Sequence, residues 1–278
     1  MAACVFSIDV EDWFHILDLP ATPELAEWPG LESRVVPATH RLLDLMDAHG
    51  VKSTLFFLGW VAERFPELVR EAVARGHEAA SHGYAHELVY TQDRATFLAD
   101  IRKAKDLIEQ AGGSRVLGYR CPGFSVTTQS PWFFDAVAEA GYAYDSSVWP
   151  GLRGHGGLPG AARVPTTLAT PHGALREFPI SLARIAGRDL YFFGGGYLRF
   201  FPLSLIRHMV RRVLAEGRDV TFYLHPREVD PGHPRLPMGA RRRFMSYTGL
   251  HTTEPKLKAL FSEFQFTRFC DILRNVER

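Results

Sequence analysis

Two features of this chain could do chemistry: a pair of histidines four residues apart in Ser81-His82-Gly83-Tyr84-Ala85-His86, and the acids Asp9, Glu11 and Asp12. Two neutral imidazoles and one carboxylate make a divalent-metal site that keeps coordination positions open. On a helical turn, the four-residue spacing sets both rings on one face. The acids end an apolar run, Val5 to Val10, where several carboxylates repel one another and resist burial. A division of labour resolves this: one carboxylate binds metal and another stays free as a general base. Residues i and i+2 of a strand share a face, which groups Glu11 with Asp9. Asp12 competes with Glu11 for the role of metal carboxylate.

Elements must bring these residues together. Apolar runs read as strands at Val5–Val10, Ser53–Leu58, Glu78–Ser81, Val116–Tyr119, Tyr142–Asp145, Glu177–Ile180, Val220–Leu224 and Phe266–Phe269. Between them, Pro37–His49, Pro66–Arg75, Thr96–Gln110, Pro131–Ala140, Leu203–Glu216 and Pro255–Phe264 read as helices, several closed by Gly. The Gly- and Pro-rich stretch from Trp149 to Gly173 reads as a surface excursion. Tyr191 to Tyr197, with three central glycines, reads as a flexible loop beside a groove. Strands alternating with helices predict an α/β fold with a parallel sheet. The acid cluster, His82 and His86, Arg120, Asp145 and His225 each follow a strand. Carboxyl ends of parallel strands are where an α/β barrel builds its site.

Five motifs in this order resemble the polysaccharide deacetylases of the NodB-homology, or carbohydrate esterase 4, superfamily. They are Asp9-Val10-Glu11-Asp12, Ser81 to His86, Arg120-Cys121-Pro122-Gly123-Phe124, Asp145 to Trp149, and Leu224-His225. The acid motif and the tail with Thr252-Thr253-Glu254-Pro255 are similar to the bacterial subgroup associated with exopolysaccharide and exosortase systems, which carries a DUF3473-like C-terminal region. The resemblance implies a distorted (β/α) barrel of the (β/α)7 type with a C-terminal extension packed on it. Residues 1–278 would form one domain, with the core motifs in 1–180 and the closing motif in 181–278.

The resemblance also implies a bound divalent metal, Zn2+ first, with Co2+, Ni2+ or Mn2+ as alternatives, and removal of N-acetyl groups from an oligo- or polysaccharide. In that scheme Asp9 is the base and His225 the acid, while Arg120 orients Asp9 and Asp145 orients His225. Asp12, His82 and His86 hold the metal, with Glu11 as the alternative carboxylate. Trp13, Tyr84, Pro122, Gly123, Phe124, Trp149 and Leu224 contact substrate. The first motif departs from the usual adjacent Asp pair, and Gly123 precedes Phe124 where many relatives reverse the order. An O-deacetylase, an amidohydrolase on a cyclic ureide or other non-sugar amide, and a catalytically silent carbohydrate-binding protein are the competing expectations.

Composition narrows the field. A net charge of +1 argues against a nucleic-acid partner. The run Arg241-Arg242-Arg243 is either a solvated patch or a contact to an anionic group such as a phosphate or uronate. Three cysteines without paired spacing predict no disulfide framework. The start Met1-Ala2-Ala3-Cys4 shows no leader, which predicts a cytoplasmic enzyme, with a membrane-peripheral place beside polysaccharide synthesis machinery as the alternative, and no stretch is long enough to span a bilayer. The histidines at 40, 49, 77, 155, 172, 208, 233 and 251 are read as surface or loop residues without a role.

Overall fold

The computed structural model describes residues 2–151, 154, 156–185 and 187–276, so His155 lies outside the described residues. Its strands are β1 Cys4–Val10, β2 Thr54–Phe57, β3 Glu78–Ser81, β4 Gly118–Tyr119, β5 Tyr144–Asp145, β6 Thr166–Thr170, β7 Gly173–Glu177, β8 Ala183–Ile185, β9 Arg188–Leu190, β10 Val220–Leu224 and β11 Phe266–Thr267. The main sheet runs β10-β1-β2-β3-β4-β5-β7-β6. Every neighbouring pair along it is parallel except the hairpin of β6 and β7. That hairpin ends the long excursion, turning through Pro171 and His172, so β7 forms upstream of the expected Glu177–Ile180 strand.

The period of two along β1 decides what faces inward. Phe6, Ile8 and Val10 join the outer cluster with Leu42, Leu43 and Met46. Val5 instead meets Phe56, Ala80, Tyr144, Phe178, Phe269 and Leu273. Side chains from β1, β2, β3 and β5 touch one another only because the sheet curls round them. Arg120, just after β4, reaches back to Ser7 and Asp9 on β1, three strands away. This is the expected distorted barrel. Beyond β10 a bridge joins Gly194 to Tyr223. A side chain at Gly194 would put its Cβ 1.9 Å from the Tyr223 carbonyl, so only glycine allows that approach.

The helices are α1 Val35–Asp47, α2 Gly59–Arg64, α3 Pro66–Ala74, α4 Arg94–Gly112, α5 Phe133–Glu139, α6 Gly195–Phe200, α7 Leu203–Ala215, α8 Ala240–Tyr247, α9 Thr253–Phe261 and α10 Phe269–Val276. The expected last strand stops at Thr267, because Phe269 and Leu273 start a helix whose apolar face plugs one end of the barrel. The buried Glu78 carboxylate at that end accepts from the Thr54 hydroxyl (2.6 Å), the Tyr144 hydroxyl (2.9 Å) and the Cys270 N–H (3.0 Å). Tyr191–Tyr197 is not a free loop, since its last residues open α6. All three cysteines are free and buried. Among the described residues no helix is long and apolar enough to cross a membrane.

Candidate active site

The opposite end of the barrel gathers the titratable groups. Asp9 is the last inward-facing residue of β1. Its carboxylate accepts from Arg120 Nη1 at 2.7 Å, and the same nitrogen donates to the Ser7 hydroxyl at 2.8 Å. Arg120 is fully buried; it also donates to Ser146 and lies 4.1 Å from the Phe56 ring centroid. A buried guanidinium needs a counter-charge, and Asp9 supplies it. The expected pairing of Arg120 with Asp9 is therefore present. Ser7, which the sequence reading passed over, completes the contact.

Past Val10 the chain leaves strand geometry. The Glu11 N–H donates to the Asp9 carbonyl at 2.9 Å, a tight turn that brings Glu11 inward. Glu11 Oε1 lies 2.9 Å from His86 Nε2 and 3.1 Å from His82 Nε2. One donor atom from each of the three residues falls within 4.8 Å of the others, and a second such group joins Asp9, Glu11 and His225. Arg227 Nη1, also missed in the sequence, donates to Glu11 Oε2 at 3.1 Å. Burial pushes the Glu11 carboxyl upward, but His86 and His225 beside it, with the hydrogen bonds of both metal-type histidines, hold it well below the usual range.

The two histidines do not meet on a helical turn. Residues 82–86 form a loop in which Gly83 (φ 75°) and His86 (φ 55°) are both left-handed. Asp100 anchors it, accepting from the Tyr84 and Ala85 N–H groups at 2.8 and 3.0 Å. A Cβ at position 83 would sit 2.9 Å from that carboxylate. A non-glycine residue at positive φ is strained, and such strain collects at functional sites. Behind His86 lies His15, another residue the sequence reading missed, with ring centroids 5.5 Å apart. Its Nδ1 accepts the Asp12 N–H at 2.9 Å, which places its proton on Nε2. Burial keeps this ring neutral.

His225 enters from the end of β10, with Nε2 3.7 Å from Glu11 Oε1. The expected partner, Asp145, is not what holds it. Asp145 accepts from the Ser147 hydroxyl (2.6 Å) and N–H (3.0 Å), fixing the turn after β5. It lies beside the buried Glu177; burial raises both carboxyls, and the Asp145 charge raises Glu177 further. The residue that holds His225 is Glu228, whose Oε1 is 2.9 Å from Nδ1. Buried Arg199 grips the other Glu228 oxygen. Burial pushes the Glu228 carboxyl up, but Arg199 and His225 overcome it and hold it at about 2. A sequence signal existed: His225-Pro226-Arg227-Glu228 is a capping box, in which the third residue reaches back to the N-cap.

Asp12 sits apart from the histidine pair. Its carboxylate accepts from the Ser33 hydroxyl (2.5 Å) and from the N–H groups of Trp13, Arg34 and Val35. The last two belong to the amino end of α1, where unsatisfied donors and the helix dipole favour an anion. Of the expected substrate contacts, Pro122, Phe124 and Leu224 are buried, and Trp13 and Trp149 are each 8% exposed, so they are walls rather than platforms. Tyr84 faces outward, donating to Glu63, with the Lys103 ammonium 3.3 Å from its ring centroid. Gly123 (φ 65°) and Phe124 (φ 53°) make a left-handed turn directly after Arg120-Cys121.

Residues 31–144 match the family described as polysaccharide deacetylase, and residues 146–274 match a domain of unknown function, DUF3473. A peptidoglycan-N-acetylglucosamine deacetylase of Bacillus cereus is 31% identical over 75 residues, which cover 27% of this chain and 27% of that protein. The match thus spans little more than a quarter of that relative. Two solved structures share the fold at a TM-score of 0.65. One is a probable polysaccharide deacetylase from Pseudomonas aeruginosa PAO1, 19% identical, covering 100% of this chain and 91% of that one. The other is an allantoinase, 20% identical, covering 98% of this chain and 89% of that one. At such identity the likeness is one of fold alone.

Proposed function

We propose that this chain, whose residues 31–144 match the polysaccharide deacetylase family, is a metal-dependent hydrolase removing N-acetyl groups from amino sugars of a polysaccharide or its oligosaccharide precursor. The observation that carries this reading is the convergence of Glu11 Oε1 with the Nε2 atoms of His82 and His86 beside the Asp9–Arg120 pair. The donor set suits a cation. His82 Nδ1 lies 2.7 Å from the Arg120 carbonyl, which can only accept, so Nδ1 carries the proton. With Nδ1 so engaged, His82 Nε2 faces Glu11 Oε1 at 3.1 Å, a contact that needs a cation between the two, either the Nε2 proton or a divalent ion that would replace it. Glu11, His82 and His86 would hold Zn2+ or a similar ion, and Asp12 is left to cap α1.

When bound, such an ion acidifies water and polarises an acetyl carbonyl. Asp9, oriented by Arg120, takes the proton from the attacking water. The turn through Gly123 offers a backbone N–H to the developing oxyanion. His225 gives the Nε2 proton to the departing amine, which leaves poorly until protonated. Glu228 accepts from Nδ1, holding the ring with Nε2 directed into the site. Acetate release from a panel of N-acetylated oligosaccharides by protein loaded with Zn2+ or Co2+ tests the reading. Release that disappears with the metal supports it, and no release from any member overturns it.

Glu228 is a positioning residue in this scheme. Glu228→Gln is expected to lower kcat about tenfold or more with little change in KM, and Glu228→Asp to restore part of it. Steady-state kinetics of the two variants check this; a kcat within a few-fold of wild type in Glu228→Gln would leave Glu228 a structural partner of Arg199 only.

A further inference from the structure

Seven large hydrophobic side chains are exposed among the described residues, and Tyr197, Phe200, Phe244 and Met245 are four of them. Tyr197 and Phe200 lie three apart on α6, hence on one face. The Phe200 and Phe244 rings stack at 5.2 Å with 7° between their planes, joining α6 to α8. Phe244 is 58% exposed and Met245 42%. A cluster of this kind marks an interaction surface.

The segment that carries α8 is one-sided in charge. The whole chain balances 32 basic against 31 acidic residues, yet residues 231–253 contain Arg235, Arg241, Arg242 and Arg243 and no Asp or Glu. Arg241 and Arg243 are exposed on α8 next to the aromatic pair. We propose that the α6–α8 face rests on an anionic lipid bilayer, with Phe200, Phe244 and Met245 inserted at the headgroup level and Arg241 and Arg243 on the lipid charge. Aromatic side chains with flanking arginines are the composition of an interfacial helix, and each basic residue near an anionic leaflet adds attraction. A sugar platform fits less well. Hydroxyl-rich ligands call for carboxylate or amide acceptors beside the stacking rings, and neither 191–200 nor 231–253 contains Asp, Glu, Asn or Gln.

The face shares its scaffold with the acid side of the site. Arg199 on α6 holds Glu228 and also donates to the carbonyls of Met245 (2.7 Å), Ser246 (3.2 Å) and Thr248 (3.0 Å) at the end of α8. Arg242 donates to the Leu17 carbonyl, in the loop that follows the acid motif. The bilayer would therefore lie beside the mouth of the barrel.

Co-sedimentation of the full chain with phosphatidylcholine vesicles, with and without about one-third phosphatidylglycerol, tests this. Binding to the anionic vesicles alone, weakened by high salt, is the expected result. Phe200→Ser with Phe244→Ser, and separately Arg241→Glu with Arg243→Glu, should each weaken it about tenfold or more. These side chains are exposed, so melting temperature should hold, and acetate release from soluble oligosaccharides is an independent control. Failure of the wild type to sediment, or equal sedimentation by both variants, overturns the proposal. So does a dimer, seen by light scattering, that the phenylalanine variant dissociates without any vesicle binding. Retention on an amino-sugar polymer, with none on vesicles, overturns it in favour of a sugar platform.

Discussion

A Glu11→Gln variant is expected to bind divalent metal at least about a hundredfold more weakly than the wild type and to lose acetate release with it. The amide keeps the volume and one acceptor oxygen but removes the charge that faces two imidazoles and Arg227. Asp12→Ala makes the decisive comparison. It strips acceptors from the amino end of α1 and should cost about 2 kcal/mol of stability, while metal content per chain stays at one. Elemental analysis after gel filtration, beside thermal melts, reads both. The reverse pattern, with metal lost from Asp12→Ala and kept in Glu11→Gln, would return the ligand role to Asp12.

Asp9→Asn should retain metal and lose turnover by at least about a hundredfold, the scale of a general base. The substitution also leaves the fully buried Arg120 guanidinium without its carboxylate. A lowered melting temperature is therefore part of the expected result. Metal content and KM separate the two effects: a folded, metal-loaded variant with near-normal KM and little kcat identifies the base. Activity within a few-fold of wild type would assign proton removal elsewhere.

The barrel was legible because its inner strands are short apolar runs cut by Gly and Pro. β3 and β10 fall where the sequence places them. What escaped were elements without a buried stripe. In α8, Ala-Arg-Arg-Arg-Phe-Met-Ser-Tyr, only Tyr247 is buried, so no apolar period announces a helix. α6 begins with two glycines, which argue against helix by propensity. Within the site, Asp9, Arg120, His82, His86 and His225 come together as their positions after strands implied. The acid motif divided two lines of reasoning. Strand alternation grouped Glu11 with Asp9 and the family's usual adjacent acids pointed to Asp12; Glu11 does face inward with Asp9, but through the tight turn after Val10 rather than the period of a strand. Asp145 was assigned to His225 through the resemblance alone, and no local pattern could have shown that Ser147 and the neighbouring Glu177 occupy it.

The border between the two family matches, after residue 144 and before 146, cuts through β5. On the far side of that border lie β10, which pairs with β1 from Cys4 to Ile8, and β11, which pairs with Cys4 and Val5. A fragment ending at the border would leave β1 as a bare edge, with Val5-Phe6-Ser7-Ile8 offering unpaired N–H and C=O groups on an apolar strand. Such an edge is a template for intermolecular pairing and aggregation. The segment of unknown function thus acts as a shield for β1, the fully buried strand that precedes the first match, and cells that produced residues 1–144 alone would meet an insoluble protein before an inactive one.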